Sequence, residues 1–153
     1  MMLHNERVAD VLERETKTTI ANWLANVDAE THIITVPLSA EDRCAHLPEV
    51  FIDIVARLRN PLPLKARALV SDAAHGHGCL RREQGYTPAM MVEESRMLQV
   101  SIFRTLQLNL GELDSRVVLD DVVIIADEVD SQLAQAMSSY IFKANKDTHS
   151  REA

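Results

Sequence analysis

The sequence predicts an all-α fold, a bundle of five to six helices in one domain. Three observations carry this reading. Strand signals are nearly absent: the best candidate, "HIITVPL" at 32–38, is short and interrupted by Pro37, so it reads as an extended connector. Elsewhere apolar residues recur at steps of three and four, the spacing of an amphipathic helix. The strongest helix breakers are scarce, with 4 glycines and 5 prolines in 153 residues, which leaves long uninterrupted runs.

The first predicted helix covers about residues 5–27, with one stripe made by Val8, Val11, Leu12, Ile20, Trp23, Leu24 and Val27. A second begins after Ser39, a good N-cap with Asp42 three residues on, and Pro48 should break or kink it. Its later half carries Val50, Phe51, Ile54, Val55 and Leu58 before "RNPLP" at 59–63 ends it. A third helix is expected over about 64–84 and a fourth over about 88–110. Gly111 and Asp114 then act as C-cap and N-cap signals for a fifth, over about 115–143. Residues 1–145 form the domain, and the polar tail 146–153 is expected to fray.

The fifth helix holds more apolar residues than one buried face of a monomer needs. Val118, Val122, Ile125, Val129, Leu133, Ala136 and Tyr140 make a heptad-like seam, widened by Val117, Leu119, Val123, Ile124 and Ala126. Either one broad face is buried in the monomer, or one seam packs at home and the other on a second copy. The expectation is a homodimer through Val122, Ile125 and Val129 with Ile20 and Trp23 of the first helix.

Composition excludes several function classes. The chain is 46% hydrophobic and 25% charged, which is globular. Its net charge of -7 and the lack of a Lys/Arg cluster argue against nucleic acid and anionic membranes as partners. Cys44 and Cys79 read as reduced thiols, the N-terminus lacks a secretory pattern, and no apolar run approaches the roughly 20 residues of a membrane span. A cytoplasmic protein is expected.

The stretch "HGHGCLRREQGYTP", 75–88, concentrates the chemistry. His75 and Cys79 share a helix face, but two ligands fall short of the three or four of a zinc site, and His46 as a further ligand has no spacing to recommend it. A haem would need an inward histidine, and His77 qualifies by lying on a stripe with Val70, Ala73 and Leu80, yet aromatics are few. "AHGHG" could present His75 as a phosphoryl acceptor, with Arg81 and Arg82 offsetting charge, although His77 stands where such domains carry lysine. The structural reading explains more residues. Gly85 ends a helix in the left-handed region, Tyr86 supplies the apolar contact, Thr87 caps the next helix and Pro88 opens it. Gly76 and Gly78 cost helix stability, about 1 kcal/mol each, which suggests a close neighbour there. His77 is expected to be buried with a hydrogen-bond partner and His75 more exposed. Arg81 can reach Glu94 as a buried pair, unless both are solvated surface charges.

These residues resemble a known family. "HGCLRREQGYT" followed by "MMVEESRML" is similar to the N-terminal sensory domain of RsbR-type stressosome proteins and of some sensor histidine kinases. The matching positions are His77, Gly78, Arg81, Gln84, Gly85, Tyr86, Glu94 and Leu98, and "VPLSAEDRCAHLPEVFIDIVARL" and Trp23 agree. Ser95 departs from a usual aromatic and Gln99 from a usual arginine. The resemblance implies a globin-like bundle without haem or other cofactor, a dimer, and a non-enzymatic role relaying a signal to a histidine kinase or STAS-type partner. On this reading His77, Arg81, Gly85, Tyr86 and Glu94 form the site or corner.

Overall fold

The computed structural model describes residues 6–61 and 71–152. These form an all-α bundle: α1 (Val8–Arg14), α2 (Thr16–Ala29), α3 (Ala40–Cys44), α4 (Leu47–Arg59), α5 (Asp72–Glu83), α6 (Pro88–Leu108) and α7 (Val118–Glu152). A single 3-10 turn, Leu110–Glu112, joins α6 to α7. The only β-type pairing among the described residues is one isolated parallel bridge between Glu6 and Leu113. No helix among the described residues is long and apolar enough to cross a membrane.

The predicted first helix is two. The chain bends at Glu15 (φ -96°, ψ 14°), where the Thr16 and Thr19 hydroxyls donate to the carbonyls of Leu12 and Glu15. Such back-bonding competes with the helical ladder and bends it. The second predicted helix also divides, as Pro48 requires. Ser39 caps α3 by accepting from the Asp42 N–H at 3.1 Å, and Pro48 sits in the first turn of α4, where its missing N–H costs nothing. α5 begins at the cap Ser71, while residues 64–70 of the predicted third helix, Val70 included, lie outside the described residues.

Two expectations about the C-terminal half are corrected. Gly111 lies inside the 3-10 turn and does not adopt the left-handed C-cap conformation, which only Gly85 does among the described glycines. The last helix is also longer than the expected 115–143: α7 takes in the polar stretch as far as Glu152. Lys143 reaches Asp147 at 3.3 Å and Glu83 at 3.7 Å, and Arg82 reaches Asp147 at 3.9 Å, so the start of the polar stretch is tied to the end of α5.

α7 is the spine. α5 packs along it, and α6 and α4 also lie against it, while α1 packs on α4 and α2 on α6. The core is built from Val11, Leu12, Trp23, Leu47, Phe51, Ile54, Ile102 and Ile125. Gly78 makes the α5–α7 contact possible: a Cβ there would stand 2.0 Å from the Ala136 carbonyl oxygen and 2.1 Å from Ser139 Oγ. Gly76 has no such neighbour within 4 Å. Of the two glycines, then, only Gly78 is required by a close approach.

The expected dimer residues are also corrected. Trp23, Ile125 and Val129 are 1%, 0% and 3% exposed, so they belong to the monomer's own core and cannot face a partner. Ile20 and Val122 are half-buried against the same core. The seam of α7 faces inward, and of the widening set Leu119 and Val123 face out, 73% and 47% exposed, while Val117, Ile124 and Ala126 are half-buried.

Candidate functional site

The "QGYTP" corner forms as its residue types require. Gly85 takes φ 90°, the Tyr86 N–H bonds the Arg81 carbonyl at 3.0 Å, and the Gly85 N–H bonds the Arg82 carbonyl at 3.2 Å. That pair of bonds is the Schellman closure of a helix end. Thr87 caps α6 by accepting from the Met90 N–H at 3.3 Å, and Pro88 is its first residue. Tyr86 is buried, and its carbonyl accepts from the Tyr140 hydroxyl at 2.5 Å, which fastens the corner to α7.

The corner holds Arg81 fully buried. Its guanidinium donates to Gln84 Oε1 at 2.7 Å, to the Arg43 carbonyl at 2.8 Å and to Glu94 Oε2 at 3.2 Å, and it lies 4.6 Å from the Tyr86 ring centroid. Arg81 Nε also approaches Glu94 Oε1 to 3.0 Å, but the two are misaligned for a hydrogen bond and neither atom has another partner among the described residues. The Arg81–Glu94 pair is therefore an internal ion pair. Burial nonetheless raises the Glu94 carboxyl above its ordinary range, against the pull of Arg81. Burial, and then Glu94, push the Tyr86 phenol up to about 12. Arg43 bonds the Tyr86 hydroxyl and, at 2.6 Å, the Val36 carbonyl of the connector.

Next to this cluster three aromatic rings form a ladder. The Trp23 ring meets His46 edge-on, centroids 6.1 Å apart, and His46 stacks on His77 at 3.7 Å and 12°. Trp23 is fixed by its Nε1–H, which donates to the Glu94 carbonyl at 3.1 Å. Burial, followed by the charges of His77 and Arg81, lowers His46 well below the ordinary histidine range. Burial and then Arg81 take His77 down to about 3, so both rings are neutral. His77 is half-buried with its Nδ1 shielded from solvent, and the expected partner is missing: Nδ1 has none among the described residues. His75 is exposed.

The ladder is one wall of a cavity between α2, α4, α5, α6 and α7. About 50 Å³ of it is open to the centre of a water molecule, and the empty space including its mouth is about 510 Å³. Glu94, Ser95, Gln132 and Leu133 complete the lining with apolar side chains of α4 and α6. The Gln132 amide nitrogen donates to Glu128 Oε1 at 3.1 Å and to Asp53 Oδ2 at 3.3 Å, which leaves its Oε1 without a partner.

Of the residues singled out in the sequence, Arg81, Tyr86 and Glu94 meet directly, His77 lies at the cavity beside Glu94, and Gly85 shapes the turn without touching either. The inward stripe of α5 is offset from the expected one: Ala74, Gly78 and Arg81 are buried, Ala73 is half-buried and Leu80 is 42% exposed. Arg81, spent inside, cannot offset charge on a phosphorylated His75. Among the described residues no group of three or more His, Cys, Asp or Glu side chains is placed to hold a metal ion. Arg43 and Gln132 escaped the sequence reading. His46, which the sequence offers only as a further metal ligand without a spacing to recommend it and as part of the "HLP" of the resemblance, is brought to His77 by the tertiary fold alone.

Compared with known proteins, the chain matches no family model, no curated protein and no solved structure.

Proposed function

We propose that this is a non-catalytic regulatory domain of the globin-like, haem-free kind. It associates with a second copy and relays the state of its cavity to an output module, a histidine kinase or a STAS-type partner. One observation carries the reading: α7 serves both tasks. Its inner face walls the cavity with Val129, Gln132, Leu133 and Ala136, and the same helix continues about three turns past Tyr140 with Ile141 and Phe142 exposed. A change in packing at the cavity therefore acts on a rigid element that leads away from it. The resemblance to RsbR-type sensory domains supports the same role.

The association surface is the outward stripe of α7. Leu119, Val123, Ala134 and Ile141 are exposed on it. With the half-buried Ala126 and Met137, the latter also packed on the core, and Asp130 they follow steps of four and three, the spacing by which one helix packs against a copy of itself. Light scattering at tens of micromolar tests this. The expected result is a dimer that Leu119→Glu with Val123→Glu converts to a monomer at unchanged melting temperature, because both side chains are exposed. A monomer mass for the unaltered chain removes the association and with it the relay.

A further inference from the structure

We propose that the cavity between α2, α4, α5, α6 and α7 binds a small uncharged molecule with a planar apolar ring that carries at least one N–H or O–H donor. The inference deepens the regulatory reading above and rests on it for its purpose, though not for its geometry.

The need for a donor follows from the unpartnered atoms. Gln132 Oε1 and His77 Nδ1 are buried without a partner among the described residues, Glu94 Oε1 has only the misaligned Nε of Arg81 at 3.0 Å, and all three residues line this one cavity. A buried polar atom without an aligned partner is costly to the fold, so three in one place mark a site that a ligand completes. The amide of Gln132 cannot turn to satisfy itself. Its nitrogen already faces the carboxylates of Glu128 and Asp53, which accept only from that side, so the oxygen is the free end. Two of the three atoms are oxygens that only accept from the ligand, and the third accepts or donates according to tautomer.

The absence of charge follows from the ion pair. An anion needs a cation with free N–H groups, but the two terminal nitrogens of Arg81 are committed to Gln84, the Arg43 carbonyl and Glu94, and its Nε–H faces the Glu94 carboxylate at 3.0 Å. A cation needs an uncompensated carboxylate, and Glu94 is already opposed by Arg81 at 3.0 Å. The two imidazoles add no charge. An ionic ligand would thus leave water for a mostly apolar cavity that offers it no free counter-charge, which disfavours it.

A flat apolar body follows from the walls. The rings of Trp23, His46 and His77 form one side, and Leu47, Met91 and Leu133 lie on the others. Ser95 contributes only a hydroxymethyl group to the lining, so the space beside it is left for the occupant. With about 50 Å³ open to the centre of a water molecule, the cavity suits an occupant of about one ring.

Phenol is the probe, with toluene as its donorless analogue and benzoate as its anionic one. Trp23, the only tryptophan of the chain, lines the site and reports occupancy by its emission. Phenol is expected to change that emission saturably and to raise the melting temperature, with toluene at least about 10-fold weaker and benzoate without effect. His77→Phe and Gln132→Met should each weaken phenol by about 10-fold, the loss of one hydrogen bond to a ligand. Ser95→Phe should abolish binding by filling the space, and it serves if the other variants do not fold. Equal binding of toluene and phenol, binding of benzoate, or no saturation by phenol below about 10 mM overturns the inference. The titration does not read oligomeric state, so a failed dimer and an empty cavity are separate outcomes.

Discussion

The imidazole of His46 lies flat on that of His77, 3.7 Å between centroids, and burial followed by the nearby Arg81 charge keeps the pair neutral, with His77 adding to the effect on His46. In the unfolded chain both would titrate near 6.5. In the fold His77 is lowered to about 3 and His46 well below its ordinary value, burial being the first cause for each. The unfolded state therefore binds more protons across this window. Stability is complete above pH 6.5 and falls as the pH drops toward 3, by at most about 1.4 kcal/mol per pH unit for each ring. Glu94, raised by burial, takes up its proton earlier in the fold and offsets part of the loss just above its ordinary 4.5. Urea midpoints at pH 7.5, 6 and 5 should decline, and His77→Phe should flatten the decline. Equal midpoints from pH 7.5 to 5 would contradict buried neutral rings.

Gly76 and Gly78 should respond in opposite directions to the same change. Gly76→Ala places a methyl group in open space and should stabilise by about 0.5–1 kcal/mol through helix propensity. Gly78→Ala drives a methyl group into the Ala136 carbonyl and should cost about 2–3 kcal/mol or more after the same propensity gain. Thermal melts of the two variants decide it. A stable Gly78→Ala protein would mean that α5 and α7 can separate without loss.

At Gly85 the strain is in the backbone, since a Cβ there meets nothing within 4 Å. Gly85→Ala is expected to cost about 1 kcal/mol because φ 90° disfavours a side chain, and Gly85→Asn less because asparagine tolerates the left-handed region. Denaturant unfolding checks the order. Equal losses for the two would assign the effect to something other than φ.

Removing Arg81 alone strands Glu94, and the loss should be about 3–5 kcal/mol for Arg81→Met. Pairing it with Glu94→Leu should recover a large part of that loss, because no lone charge is then buried. A double-mutant cycle by urea unfolding reads the coupling. Additive losses would show that the two side chains act independently and that packing alone explains the burial.

What was legible in the sequence is what local chemistry decides. Ser39, Thr87, Pro48, Pro88 and Gly85 mark caps and stops through bonds to residues a few positions away, and each sits where its type requires. The α1–α2 bend was less visible, since Thr16 and Thr19 are compatible with a straight helix until their hydroxyls back-bond. Periodicity identified two apolar stripes on α7 but could not say which faced inward. That choice depends on what α5 and α6 bring to it, such as the flat surface of Gly78. Arg43 and Arg57 look like surface charges in sequence and are buried, Arg57 on Asp127 and Glu128 of α7. The cavity was invisible for the same reason, as its lining comes from five helices.

The length of α7 also has a mechanical side. From Ala136, where the helix presses on Gly78, to Glu152 is about 24 Å of rod at 1.5 Å per residue. Pivoting the rod by 10° about that contact displaces its tip by about 4 Å, close to the 4.7–4.9 Å that separates neighbouring strands of a sheet. In the proposed relay the Gly78 contact would serve as the fulcrum, and the length of helix beyond it would set the gain.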